Sequence, residues 1–160
     1  MNNKMLVDLE RCIGCWTCSM ACKMCHDLAD DEFRIVVRTN GSGAGIDRPQ
    51  GVYPDLRMSW QPVYRKSCTW CAERLAEGLR PMCESGCPTD ALAFGDADDP
   101  TSAFSEARQR CVDRHYHLFE LPAYEESRSN VVYAVKRQPR LFAVSCRAQP
   151  EHSRDFCQSL

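Results

Sequence analysis

The chain has 160 residues, 44% of them apolar, with 20 Lys and Arg set against 22 Asp and Glu. That length suits one domain with a modest core of its own, and the scattered, balanced charge excludes the basic footprint of a nucleic-acid binder. No apolar run approaches the length of a membrane helix, which excludes direct membrane insertion. Twelve cysteines are the anomaly.

In chain order, residues 5–9 form a short apolar strand candidate with Asp8 as its polar interruption. Cysteines follow at once, and residues 17–28 are compatible with a short helix. Residues 33–38 read as a second strand. Residues 40–51 are Gly-rich and contain G-x-G-x-G. No lysine, Ser/Thr pair or helix start follows, so a surface connection is favoured over a phosphate cradle. Residues 52–64 are mixed, punctuated by Pro54 and Pro62. Residues 72–79 suit two turns of helix, stopped by Gly78 and Pro81. Residues 91–94 read as a strand ending at Gly95-Asp96. Residues 98–102 signal a helix start, with an acid as cap and Pro100 in the first turn. Phe104, Ala107 and Cys111 recur at helical spacing, which puts Cys111 on the apolar face. His115 and His117, in an Arg- and Glu-rich stretch, read as surface. Residues 131–135 and 141–145 are two further strand candidates, and 147–160 form a polar tail.

Eight cysteines fall into two groups. Cys12, Cys15, Cys18 and Cys22 make a C-x2-C-x2-C-x3-C run. Cys68 and Cys71 are followed, eleven residues on, by Cys83 and Cys87, with Pro88 next. Eight thiolates are what two [4Fe–4S] clusters require. Two-residue gaps let a loop place three sulfurs on three irons and aim backbone N–H groups at the sulfurs. A fourth cysteine four residues beyond the third can reach a neighbouring cluster. In bacterial two-cluster ferredoxins the fourth cysteine does so, and a proline follows it. By that pattern Cys12, Cys15, Cys18 and Cys87 hold one cluster, and Cys68, Cys71, Cys83 and Cys22 the other. A non-crossed arrangement would use the same eight residues. The fold class expected is α+β in one domain, 1–160. A two-cluster ferredoxin-like core (5–28 and 65–96) carries an inserted loop and strand segment (29–64) and a C-terminal helix–strand extension (97–160). The fold should then depend on cluster insertion.

Other readings compete. The second group alone has the form of a four-cysteine zinc site, but three ligands at two-residue gaps in the first do not. A disulfide framework belongs mainly to short secreted chains, and no signal-like apolar stretch precedes Cys12. The expected compartment is therefore the cytoplasm, with export on a signal-bearing partner as the exception. Cys25 with His26 reads as ordinary side chains rather than a third metal site. Cys111 reads as a small buried residue, and Cys146 and Cys157 lack clear partners. Trp16 and Trp70, each inside a C-x2-C spacer, are expected to be buried near a cluster. Arg65, Lys66, Arg74 and Arg80 either offset cluster charge or are solvated.

With these motifs in place, the chain resembles the iron–sulfur subunits of the dimethyl sulfoxide reductase family, from residue 8 to about 135. The resemblance is carried by Arg11-Cys12-Ile13-Gly14-Cys15 and Gly51-Val52-Tyr53-Pro54. It continues through Cys68 and Cys71 with Arg74, Gly78, Pro81 and Cys83. Cys87-Pro88-Thr89-Asp90-Ala91, Phe94-Gly95-Asp96, Asp99-Pro100 and Asn130-Val131-Val132-Tyr133 complete it. Typical members have four cysteine groups and four clusters; this chain has two. The resemblance implies a non-catalytic electron-transfer subunit of an oxidoreductase, docked on a large molybdopterin or tungstopterin catalytic subunit. A further redox or membrane-anchor partner is compatible with it. Rival partners are a hydrogenase, a formate dehydrogenase or a tungsten aldehyde oxidoreductase. The rival from another class is a zinc-stabilised interaction module.

Overall fold

In the computed structural model, residues 2–39, 49, 52–54, 56, 58–121 and 127–136 are described. The predicted strand at 141–145, Cys146, Cys157, the tail and most of the Gly-rich segment lie outside them. The elements are β1 (Asn3–Asp8), α1 (Thr17–Cys25), β2 (Ile35–Thr39), β3 (Trp60–Tyr64), α2 (Ala72–Ala76), α3 (Met82–Ser85), β4 (Leu92–Asp96), α4 (Ala103–Asp113), β5 (Tyr116–Glu120) and β6 (Val131–Lys136). The class is mixed α+β, as expected.

Four strands form one sheet in the order β4-β1-β6-β5, and β2 pairs with β3 in a second, smaller sheet. β1 runs antiparallel to β4, Met5 opposite Phe94, and parallel to β6, Met5 opposite Val131. Both faces of the larger sheet are covered, so its inner strands are apolar at nearly every position. Alternation divides them. Met5, Val7, Leu92, Phe94, Val131, Tyr133 and Val135 face one way, packed with Cys18, Cys22, Cys68 and Cys83. Leu6, Ala93, Val132 and Ala134 face the other way, against Phe104, Ala107 and Cys111 of α4. The period of two in the strands meets the three-to-four spacing on the helix. Cys111 is therefore the small buried residue its spacing implied.

The smaller sheet is tied to the larger one and to α1 through side chains. The buried Tyr133 hydroxyl donates to the Pro62 carbonyl at 2.8 Å, and the Ser19 hydroxyl of α1 donates to the Ile35 carbonyl at 2.5 Å. Two details depart from expectation. The cap of α4 is Ser102, whose Oγ accepts from the Ser105 N–H and donates to the Asp96 carbonyl. Asp99 instead takes the N–H and hydroxyl of Thr101, so Pro100 precedes the helix rather than sitting in its first turn. The second departure is β5: His117 is exposed, as predicted, but on a strand, its ring stacked on Phe119. No helix among the described residues is long and apolar enough to cross a membrane.

Candidate metal centre

Each cysteine group opens on a loop bent by left-handed residues. Gly14 and Trp16 have φ of 67° and 61°, and Trp70 and Cys71 have 57° and 52°. Trp16 and Cys71 are the residues from which α1 and α2 start. Non-glycine residues adopt this conformation at a cost and cluster where function demands it. These bends turn the chain sharply within each C-x2-C segment.

Cys12, Cys15, Cys18 and Cys87 line one small apolar hollow with Pro88 and Leu92 among its walls. Burial, then the neighbouring Cys12, raise the Cys18 thiol to about 12. Burial also raises Cys12, and Cys87 and Cys15 add to the effect. Cys15 is exposed and lies below the usual thiol range, held there by the hydroxyl and N–H of Thr17. The Ala91 N–H donates to Cys87 Sγ at 3.3 Å.

The second grouping is Cys22, Cys68, Cys71 and Cys83, all buried. Burial, then Cys68 and Cys71, raise the Cys22 thiol to about 12. Cys83 is pushed well above the usual range by burial, with Cys68 and Cys71 adding to it. The Met82 N–H donates to Cys71 Sγ at 3.5 Å, and the Tyr64 hydroxyl donates to Cys83 Sγ at 3.8 Å. α1 joins the two quartets. Cys18 and Cys22 are one turn apart on its buried face, so one reaches the first quartet and the other the second.

These features fit a pair of cubane clusters. Buried thiols that repel one another ionise together only when positive metal replaces their protons. Amide and hydroxyl donors aimed at the sulfurs would spread the remaining charge. Among the described residues, no three His, Cys, Asp or Glu side chains form a group that could hold a single metal ion. Thiolates around a cubane stand wider apart than around one tetrahedral ion, where metal–sulfur bonds are about 2.3 Å.

The surroundings differ in part from the sequence expectations. Trp70 is buried between Tyr64 and Phe94, but Trp16 is 40% exposed. Of the four cations near the second group in sequence, Arg80 pairs with Glu84, Arg74 donates to the Arg80 carbonyl, Lys66 is exposed, and Arg65 forms a backbone bridge with Ser127. The cations that act on the second quartet are Arg34 and Arg128. Arg128 lies 4.8 Å over the Trp70 ring, and Arg34 reaches the Thr69 hydroxyl. His26, unremarkable in sequence, has Nε2 3.2 Å from Cys71 Sγ. Its one sequence signal is its place four residues beyond Cys22.

Residues 3–97 match the family model of the 4Fe-4S dicluster domain. A Halobacterium salinarum protein, provisionally named as a dimethyl sulfoxide reductase iron-sulfur subunit, is 34% identical over 62% of this chain and 34% of its own length. The Haemophilus influenzae protein NrfC homolog is 49% identical, over 63% and 68%. The thiosulfate reductase electron transfer subunit of Salmonella typhi is 27% identical, over 84% and 91%. The chain thus spans between a third and nine tenths of these relatives. The match over more than half the chain, with thiols gathered in two quartets, shows that this protein belongs to the 4Fe-4S dicluster domain family.

Proposed function

We propose that this chain is an electron-transfer subunit carrying two [4Fe–4S] clusters. It would relay electrons to or from the molybdopterin or tungstopterin catalytic subunit of an oxidoreductase complex. Cys12, Cys15, Cys18 and Cys87 would hold one cluster, and Cys22, Cys68, Cys71 and Cys83 the other. The observation that carries this reading is the exchange between the groups: Cys87 stands with the first three cysteines of the opening run, while Cys22 stands with the other group. The reading includes a ferredoxin-like core of residues 5–28 and 65–96, with 29–64 inserted and 97–160 as an extension. When bound, such clusters supply one-electron acceptance and release. The protein's part is to hold eight thiolates, direct N–H and O–H donors at the sulfurs and keep water from the second quartet. The names of the relatives support a reductase partner, and no nucleophile–base arrangement among the described residues argues for catalysis by this chain itself. A cytoplasmic location, with export on a signal-bearing partner as the exception, belongs to the same proposal.

Anaerobic purification with iron, sulfide and zinc analysis tests it. The expected result is eight iron and eight acid-labile sulfide per chain, the content of two such clusters, with a pterin-bearing large subunit co-purifying. Stoichiometric zinc without sulfide would establish the interaction-module alternative instead.

A further inference from the structure

Cys18, Cys22 and His26 follow one another at intervals of four, so they stack along one side of α1 and its C-terminal turn. His26 caps the helix, its N–H bonded to the Cys22 carbonyl at 3.1 Å. Its partly buried ring turns inward to Cys71, 45 residues away in sequence. Cys71 Sγ also receives the Met82 N–H. The first quartet has no counterpart among the described residues: the side chains at its sulfurs are the hydroxyls of Thr17 and Thr89. The charged side chain acting on Cys12 is Asp8.

We propose that His26 is a positioning residue for electron acceptance: its Nε2–H donates to Cys71 Sγ and raises the reduction potential of the second quartet alone. The inference rests on the two-cluster reading above. Adding one electron increases the negative charge shared by the four sulfurs, and no bond is made or broken. A donor aimed at a sulfur binds that extra charge more strongly than the oxidised form, so it favours reduction. This matters most at the second quartet. All four of its cysteines are buried, and added negative charge is costly there. Arg34 and Arg128 reduce the cost through space, whereas His26 meets a sulfur directly.

The test is a redox titration followed by electron paramagnetic resonance on the anaerobically purified full chain. It compares wild type, His26→Leu and His26→Gln. Leu keeps bulk and loses the donor; Gln keeps an N–H. A Cys15→Ser variant identifies which signal belongs to the first quartet. The expected result for His26→Leu is one cluster made about tenfold harder to reduce, a fall of about 59 mV for a one-electron couple. The signal assigned to Cys12, Cys15, Cys18 and Cys87 should stay in place, and His26→Gln should recover much of the shift. Unchanged potentials in His26→Leu with full iron and sulfide, or a shift in the first-quartet signal, would overturn the proposal. Loss of the second cluster in both variants would overturn it too, by making His26 a structural requirement. A wild-type chain without iron and sulfide would instead sink the two-cluster reading.

Discussion

Gly14 lies between two cysteines of the first quartet, and its replacement by alanine tests how tightly that loop is built. A Cβ on Gly14 would stand 2.3 Å from Cδ1 and Cγ of Trp60 and 2.6 Å from Nε1. Carbon contacts settle at about 3.5–4.0 Å, so either the loop or the indole must move by more than about 1 Å. Trp60 is on β3 and packed against the core, and overpacking of this kind costs about 1–3 kcal/mol. The left-handed φ of 67° adds about 1 kcal/mol for any residue with a Cβ. Together the loss is roughly 2–4 kcal/mol, or about 4–16 °C in apparent Tm for a chain of this size. Gly78→Ala is the control, because its φ is 72° with nothing within 4 Å of the added carbon. It should lose only the backbone part, about 1 kcal/mol. The assay is thermal unfolding by circular dichroism with iron and sulfide analysis of both variants. Gly14→Ala should lose stability and about half its iron, because Cys12 and Cys15 are displaced together. Equal losses in the two variants, or full iron with wild-type unfolding in Gly14→Ala, would refute the argument.

Four further outcomes are expected. Tyr133→Phe strips the donor from the buried Pro62 carbonyl and should lower the unfolding free energy by about 1–3 kcal/mol in urea titration. Ser102→Ala removes both the α4 cap and the bond to Asp96; about 1–2 kcal/mol should be lost, with faster amide exchange in the first turn of α4. Burial pushes the Glu84 carboxyl above its ordinary value of 4.5, outweighing the Phe94 N–H and Arg80 that pull it down. The folded protein therefore binds this proton more tightly than the unfolded chain. That contribution is complete below the ordinary value and is lost as pH rises through the folded pKa, so Glu84→Gln should flatten the stability–pH curve and be more stable at neutral pH. Cys18→Ala should lose or convert one cluster and sharply slow electron transfer, and both clusters surviving at full rate would contradict the ligand assignment.

Much of this protein was legible in its sequence because local rules governed it. Strands β1, β2, β4 and β6 lie where apolar runs meet turn residues, and α4 lies where Phe104, Ala107 and Cys111 keep helical spacing. Both cysteine groups declare themselves by gap length. What escaped was held by distant partners. β3 contains Pro62, which normally argues against a strand; it is tolerated because β3 is an edge strand of a two-stranded sheet, where the missing N–H leaves no ladder bond unmade, and Tyr133 takes up the outward carbonyl at that position. β5 reads as a polar surface stretch until β6 pairs with it. Ser102 competes for the cap with Asp98, Asp99 and Thr101, all of a capping type, and no local rule ranks it first. His26 reaches its partner across 45 residues; its spacing from Cys22 puts it on the right side of α1 but does not name Cys71 as what it meets.

β1 is flanked on both sides, by β4 and by β6. Its neighbour on one side arrives with residue 92, on the other only with residue 131. During synthesis, one row of β1 backbone donors and acceptors therefore waits while about 120 residues are made, some 6–24 s at usual elongation speeds. An unpaired apolar edge invites pairing with another nascent chain. All eight cysteines of the two quartets emerge inside that interval, so the unloaded thiols and the open edge of β1 are exposed to other chains over the same seconds.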